Sequence, residues 1–161
     1  MGVDLRDTIM QMARDTVVES VEKYIDVKPR NYFNYFKSLY TAFMPEGTLL
    51  IPDIANMTRD EVIDNTMEIV KRVYELKMMM VPEYELAQQE KEILLEVVDT
   101  YWVDHIDLMD QMRQSVGLVS VAQKDPVKEY TIEGYKMFES LNRKIRRETL
   151  KFVFTFDEED E

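Results

Sequence analysis

The densest group of polar side chains able to do chemistry lies between residues 99 and 110. It consists of four aspartates and the single histidine of the chain: Asp99, Asp104, His105, Asp107 and Asp110. Carboxylates and imidazole bind transition metals, so a carboxylate-bridged metal centre is one hypothesis. Di-iron helical bundles, however, place a glutamate three residues before the histidine. That position holds Trp102 here.

His105 also falls on the apolar stripe of a predicted helix, whereas most of the aspartates fall elsewhere around it. A histidine in this position is expected to pack in the core. Ser115 and Ser120 lack a second histidine to act as a base, and the chain has no cysteine. We therefore expect no catalytic residue and no bound metal, and a carboxylate-bridged metal enzyme remains the weakest alternative.

Charge, glycine content and hydrophobicity argue against several further functions, namely nucleic-acid binding, ATP binding and membrane spanning. The net charge of -12 argues against nucleic-acid binding, which needs clustered Lys and Arg that outnumber the carboxylates nearby. None of the four glycines begins a phosphate-binding G-x-x-x-x-G-K loop, so no ATP site is expected in this chain. No apolar run reaches the roughly 20 residues of a membrane span, and the start lacks a signal peptide. A cytosolic location is the expectation.

The pattern of apolar residues predicts helices throughout. The first runs from Asp4 to Tyr24, and Asn31 is a candidate cap for the second. Thr58 and Glu61 form a capping box at the start of the third, whose apolar stripe includes Leu76. This helix ends in Met78-Met79-Met80, which cannot all face one core, so at least one is expected at a boundary or partner surface.

The second half of the chain predicts a long antiparallel hairpin. An apolar stripe begins after Glu83 and gives a helix ending near Val116, and Asp125-Pro126 starts a return helix. Gly134 lies inside the return helix, where glycine is unfavourable, which suggests close approach of another backbone. The stripe of the return helix contains Tyr130, Tyr135, Phe138, Leu141, Ile145, Phe152 and Phe156.

One basic segment stands out in this acidic chain. It comprises Arg143, Lys144, Arg146 and Arg147, with Lys151 one turn later. Such a segment could contact acidic lipid or an acidic loop of a partner. The alternative is a solvated helix face on which Glu139 balances Arg143.

The amino-acid sequence of the hairpin closely resembles the C-terminal helical region of the SecA family, the ATP-driven motors of bacterial protein secretion. The resemblance rests on residues 99–114, which read DTYWVDHIDLMDQMRQ, on AQKDP at 122–126, on Glu129-Tyr130, and on EGYKMFE at 133–139. The matching positions include Trp102, Asp104, His105, Asp107, Asp110, Arg113, Gln114, Pro126, Tyr130, Gly134 and Phe138.

The resemblance implies an all-α fold, with a helical wing lobe and a long antiparallel two-helix hairpin packed on a scaffold helix. Residues 1–27 would form the C-terminal part of the scaffold helix and residues 28–81 the helical wing. Residues 82–156 would form the two-helix finger of the scaffold, and residues 157–161 read as a solvated acidic tail.

In that family the finger reaches into the mouth of the SecYEG channel and regulates the ATPase. The resemblance implies that this chain couples motor-domain movement to preprotein passage. ATP and Mg would bind to SecA motor domains outside this chain, which would not itself be an enzyme. The parent would be peripheral on the inner face of the bacterial plasma membrane. A free-standing helical adaptor without a motor is the alternative.

The finger tip is the part expected to face the channel and the preprotein. It comprises Gly117, Leu118, Val119, Ser120, Val121, Ala122, Gln123 and Lys124. Family members usually have Leu-Arg-Gly/Ala-Tyr-Ala-Gln at the tip, whereas residues 118–123 read LVSVAQ here. Because the arginine and the tyrosine are both missing, the resemblance favours a specialised or accessory SecA.

Overall fold

The computed structural model describes residues 5–120 and 125–155. It contains five α-helices and no β-strand in these ranges, which confirms the all-α prediction. A single 3₁₀ turn, Ile54–Asn56, lies in the connection between the second and third helices. The helices are α1, Arg6–Tyr24; α2, Tyr32–Ala42; α3, Arg59–Met80; α4, Glu83–Ser120; and α5, Pro126–Val153.

The chain divides into two compact units. The core unit contains residues 1–93 and 146–161, and the hairpin unit contains Leu94–Ile145. Helices α4 and α5 each contribute residues to both units. The functional boundaries expected after residues 27, 81 and 156 concern the roles of the segments, and they stay predictions.

The core unit is built on α1, α2, α3, the start of α4 and the C-terminal end of α5. Val17, Leu39 and Val70 are completely buried, one from each of the first three helices. Leu150 of α5 is also completely buried, and the Phe154 ring packs edge-on against Phe43 with 5.0 Å between ring centroids. Burying such side chains stabilises a fold by about 1.5 to 3 kcal/mol each. The end of α5 therefore completes a core that α1, α2 and α3 begin.

Both helix caps predicted in this unit are confirmed. The Asn31 side chain accepts a hydrogen bond from the Asn34 amide at 3.0 Å. The Thr58 hydroxyl accepts from the Glu61 amide at 3.2 Å and donates back to the Glu61 carboxylate at 3.1 Å. These bonds satisfy amides that a helix start otherwise leaves without a partner.

Two buried tyrosines of the core unit have paired hydroxyl groups. Tyr35 lies 2.6 Å from the Thr66 hydroxyl, which donates to the Val62 carbonyl, so Tyr35 is the donor. Burial raises the pKa of Tyr35 to about 12. Tyr74 donates to the buried carboxylate of Glu90 at 2.5 Å, and burial together with this carboxylate raises the pKa of Tyr74.

Some apolar positions do not lie where the pattern placed them. Leu76 and Phe152, both expected on a buried stripe, are exposed. On α3 the buried face turns toward Thr66 and Tyr74, because hydrogen bonding allows these polar side chains to occupy the core. Met79 is 83% exposed and Met80 is exposed as well, which confirms that the methionines do not all pack in the core.

Candidate functional site

The hairpin unit pairs α4 and α5 in antiparallel order. His105 of α4 faces Phe138 of α5, with 6.5 Å between ring centroids. Further along α4, the Met109 and Met112 side chains lie beside Gly134, which is nearer the start of α5. Later positions on α4 thus meet earlier positions on α5, as the sequence predicted for a hairpin.

Three aromatic rings form the centre of the hairpin. His105 is only 9% exposed, and its ring lies 5.5 Å from Trp102 and edge-on to Phe138. Trp102 and Phe138 keep 47% and 48% of their surface exposed. The prediction of a packed histidine is confirmed. The two larger rings, by contrast, cover the histidine with one side and present the other side outward.

A small crevice of about 70 Å³ opens beside His105. Tyr101 and Asp104 line it from α4, and Ser140 and Lys144 line it from α5. Its volume is far below the roughly 300 to 1,000 Å³ typical of ligand pockets. The geometry therefore favours a packed joint between two helices over a substrate site.

The acidic residues around His105 are exposed to solvent. Asp104, Asp107 and Asp110 are exposed, and Asp110 forms an ion pair with Arg113 one turn away at 3.7 Å. Gln114 is exposed as well. No group of three or more potential metal ligands occurs within residues 5–120 and 125–155. These aspartates are arranged as a solvated helix face.

The sequence suggested that Gly134 allows close approach of another backbone, and this prediction is wrong. A Cβ atom placed on this residue would meet only the Cε atoms of Met109 and Met112, each at 3.8 Å. This is an ordinary van der Waals distance, and both atoms are the free ends of flexible side chains. No close backbone approach at this position requires glycine.

Asp125 and Pro126 start α5 as predicted. The Asp125 carboxylate accepts from the amides of Val127 at 3.1 Å and Lys128 at 3.3 Å. Proline suits the first helical position because its missing amide hydrogen would have no helical partner there. Tyr130, one turn further on, is exposed.

The α4 helix extends beyond its predicted end. It continues to Ser120 rather than stopping near Val116, so the backbone of Gly117, Leu118 and Val119 is helical. Helix propensity explains the extension in part, since a single glycine near a helix end costs only about 1 kcal/mol. Val121, Ala122, Gln123 and Lys124 lie outside the described residues.

Apolar exposure continues along the hairpin beyond the aromatic centre. We call Trp102, Phe138 and the exposed apolar side chains of this unit the hairpin apolar surface. Its other members are Leu95, Val103, Ile106, Leu108, Val127, Tyr130, Ile132 and Tyr135. Tyr135 was expected on the buried stripe, and its exposure corrects that expectation. Large apolar side chains left exposed in this way are candidates for contact with another protein segment.

The basic segment is divided between the two units. Arg146 and Arg147 of the core unit both contact the Glu19 carboxylate of α1. Arg143 and Lys144 are exposed, as expected of a solvated helix face, although Glu139 and Arg143 form no ion pair in the described part of the hairpin unit. None of the described helices is long and apolar enough to cross a membrane.

Comparison with known proteins decides the family. The model of the SecA Wing and Scaffold domain matches residues 1–157. The chain belongs to the SecA family. It is the wing and scaffold domain of that family, which accounts for an all-helical chain with a long hairpin and no phosphate-binding loop.

Curated relatives agree with this assignment. Protein translocase subunit SecA 2 of Clostridioides difficile strain 630 is 49% identical over 154 residues, covering 96% of this chain. Protein translocase subunit SecA 1 of the same strain is 35% identical over 153 residues, covering 95% of the chain. Protein translocase subunit SecA of Clostridium botulinum strain Loch Maree is 34% identical over 160 residues. The chain spans only 20%, 17% and 19% of these three relatives.

Two contacts in this SecA domain had no signal in the sequence. Glu90 is buried against Tyr74 although it lies among charged residues that suggest a solvated helix face. Glu19 binds two arginines that follow it by more than 120 residues. Both contacts join distant parts of the chain, and helical periodicity carries information only about neighbouring turns.

Proposed function

We propose that this chain is the wing and scaffold part of an ATP-driven protein translocase. Its hairpin couples the movement of motor domains to the passage of preproteins through the SecYEG channel and regulates the ATPase. The motor domains bind ATP and Mg, and this chain contributes mechanical coupling without catalysis. The parent protein acts as a peripheral protein on the inner face of the bacterial plasma membrane.

The hairpin apolar surface is the observation that carries this proposal. Trp102 and Phe138 occupy positions of the SecA-like motif, and each presents about half of its surface outward. Aromatic side chains of this kind are typical anchors of protein interfaces. Since the relatives are about five times longer than this chain, their remaining domains are the natural partners of these anchors.

We further propose that the parent is an accessory SecA. The chain is 49% identical to a SecA 2 protein but 35% identical to the SecA 1 protein of the same organism. The mainly aliphatic tip sequence from Leu118 to Ala122 also supports an accessory SecA. Without the usual arginine and tyrosine, this tip would contact preproteins through small apolar side chains rather than through a cation and an aromatic ring.

Full-length parent protein carrying Phe138→Ala tests the coupling role. We expect preprotein transport into inverted membrane vesicles to fall about tenfold, since loss of an aromatic anchor costs on the order of 1.4 kcal/mol. ATP hydrolysis by the motor domains should change as well, because the hairpin would no longer hold them in register. Both rates are measured in the same vesicle preparation.

Phe33→Ala is the matched control, because Phe33 is an exposed phenylalanine of the core unit outside the hairpin. Unchanged transport and unchanged ATP hydrolysis in the Phe138→Ala protein would contradict the coupling role. The adaptor alternative makes a separate prediction. It requires that the reading frame encode no nucleotide-binding motor upstream of this region, so sequencing that region distinguishes the two functions.

A further inference from the structure

A groove of about 550 Å³ lies within the core unit where α1, α2 and the end of α5 meet. Its floor contains the hydroxyl groups of Thr16, Ser20 and Ser38, and the last two lie 3.0 Å apart. The volume falls within the roughly 300 to 1,000 Å³ of known ligand sites. Unlike the crevice beside His105, this groove is large enough to hold several residues of another chain.

Four cations surround the groove. Lys23 comes from α1, Lys37 from α2, and Arg147 and Lys151 from α5. Two carboxylates, Glu19 and Glu148, also line it. The balance of four positive and two negative groups gives a local charge of +2 in a chain whose net charge is -12. The groove is therefore a positive site in a negative molecule.

One of the two carboxylates is already engaged. Glu19 contacts both Arg146 and Arg147, so most of its charge is neutralised within the protein. Lys37 and Lys151 form no ion pair in the described part of the chain, and both are exposed at the groove. Their ammonium groups are available to a ligand that brings its own carboxylates.

We propose that this groove binds an acidic segment of a partner protein, in which several Asp or Glu side chains are spaced along an extended peptide. The cations are distributed over three helices, so one small anion would reach only some of them. A peptide with repeated carboxylates can engage Lys37 on one side and Lys151 on the other. The hydroxyl floor suits the polar backbone of such a peptide.

A membrane surface fits this site less well. Anionic bilayers are flat and attract cations that protrude from a convex protein face. Here the cations surround a concave groove, and the rest of the chain is strongly acidic, so an anionic bilayer would repel the surface around it. The proposal goes beyond the translocase role and does not depend on it.

Fluorescence anisotropy tests the proposal with the whole chain and a fluorescein-labelled peptide of alternating Glu and Gly. We expect saturable binding that weakens as salt is raised, and no binding of a matched peptide of Gln and Gly. The double variant Lys37→Glu with Lys151→Glu should weaken binding at least about tenfold, because like charges would then face the peptide. Far-UV circular dichroism confirms that the variant is folded.

Lys91→Glu with Lys128→Glu is the matched control, since it changes the net charge equally at exposed lysines away from the groove. Retained binding in the control, with loss in the groove variant, supports the proposal. Equal loss in both variants would overturn it, because binding would then follow net charge alone. Binding to anionic phospholipid vesicles without binding to the acidic peptide would also overturn it and would assign the cations to a lipid surface.

Discussion

The core unit and the hairpin unit use similar helices but bury their apolar residues very differently. In the core unit, side chains such as Val17 and Leu39 have no exposed surface. In the hairpin unit, even the buried residues Val97, His105 and Leu141 keep 5% to 9% of theirs. Two paired helices cannot enclose a side chain from every direction, whereas three helices together with the ends of two others can.

This difference suggests that the core unit mainly stabilises the fold, whereas the hairpin unit offers side chains for interaction with other proteins. The core unit encloses many of its apolar side chains completely, and the hydroxyl groups of its buried Tyr35 and Tyr74 are paired inside the fold. The hairpin unit leaves Trp102 and Phe138 half exposed at positions that carry the family resemblance.

The largest expected effect concerns a leucine substitution made in each unit. Leu39→Ala removes a completely buried side chain and should lower the free energy of unfolding by about 2 to 5 kcal/mol. Leu95→Ala removes a side chain that is 54% exposed, and it should cost less than about 1 kcal/mol. Urea unfolding followed by circular dichroism measures both. Equal losses would show that the hairpin is packed as tightly as the core.

Alkaline pH should weaken the core unit next most strongly. The pKa of Tyr35 rises from 10.0 in the unfolded chain to about 12 in the fold, so the folded state retains the proton more firmly. Its contribution to stability is complete below pH 10 and is lost as the pH rises toward 12. The loss amounts to about 2 to 3 kcal/mol, at about 1.4 kcal/mol for each unit of pKa.

Tyr35→Phe isolates this contribution. Unfolding free energies measured between pH 9 and pH 12 should fall less steeply in the variant than in the natural chain. Tyr130→Phe is the control, because Tyr130 is an exposed tyrosine of the hairpin unit. If both variants follow the natural pH dependence, Tyr35 is not the group responsible.

The cap of α5 tests how the hairpin begins. Asp125→Ala removes the acceptor of two amide hydrogen bonds and should cost about 1 kcal/mol. Asp125→Asn preserves a side-chain oxygen that can accept these hydrogen bonds, so it should lower the free energy of unfolding by less than the alanine substitution. Amide hydrogen exchange at Val127 and Lys128 provides the measurement, since these two amides donate to the cap. Unchanged exchange in the alanine variant would show that the cap does not stabilise this helix.

Two glycines give the smallest effects, with opposite signs in the two units. Gly134→Ala in the hairpin should raise stability by about 0.5 to 1 kcal/mol, because the new methyl group finds ordinary contact distances. Gly47 of the core unit has φ of +83°, so Gly47→Ala should lower stability by about 1 kcal/mol. Thermal unfolding measures both changes. Destabilisation by Gly134→Ala would restore the idea of a close backbone approach.

Local signals predicted most of the helices. The apolar periodicity and the caps at Asn31, Thr58 and Asp125 placed the starts of all five described helices within two residues, because capping depends on residues within one turn. The end of α4 was less predictable. A helix end near Gly117 depends on small energy differences between continuing and stopping, and neither outcome leaves a strong mark in the sequence.

Contacts between distant residues could not be predicted in the same way. Tyr35 of α2 is completely buried, and this depends on Thr66 of α3, which lies far away in the sequence and pairs with its hydroxyl group. Helical periodicity likewise gives no sign that Trp102 leaves about half of its surface exposed. The groove between α1, α2 and α5 likewise requires knowledge of which helices meet.

The contact of Glu19 with Arg146 and Arg147 has a consequence for synthesis on the ribosome. These partners are separated by 127 and 128 positions in the chain, and Leu150 and Phe154 join the same core from a similar distance. Contacts between residues so far apart in the sequence form late, because a long segment of the chain must first be closed into a loop. While the intervening residues are being translated, α1, α2 and α3 have an open apolar face. During that interval the nascent chain is most exposed to aggregation and most dependent on chaperones.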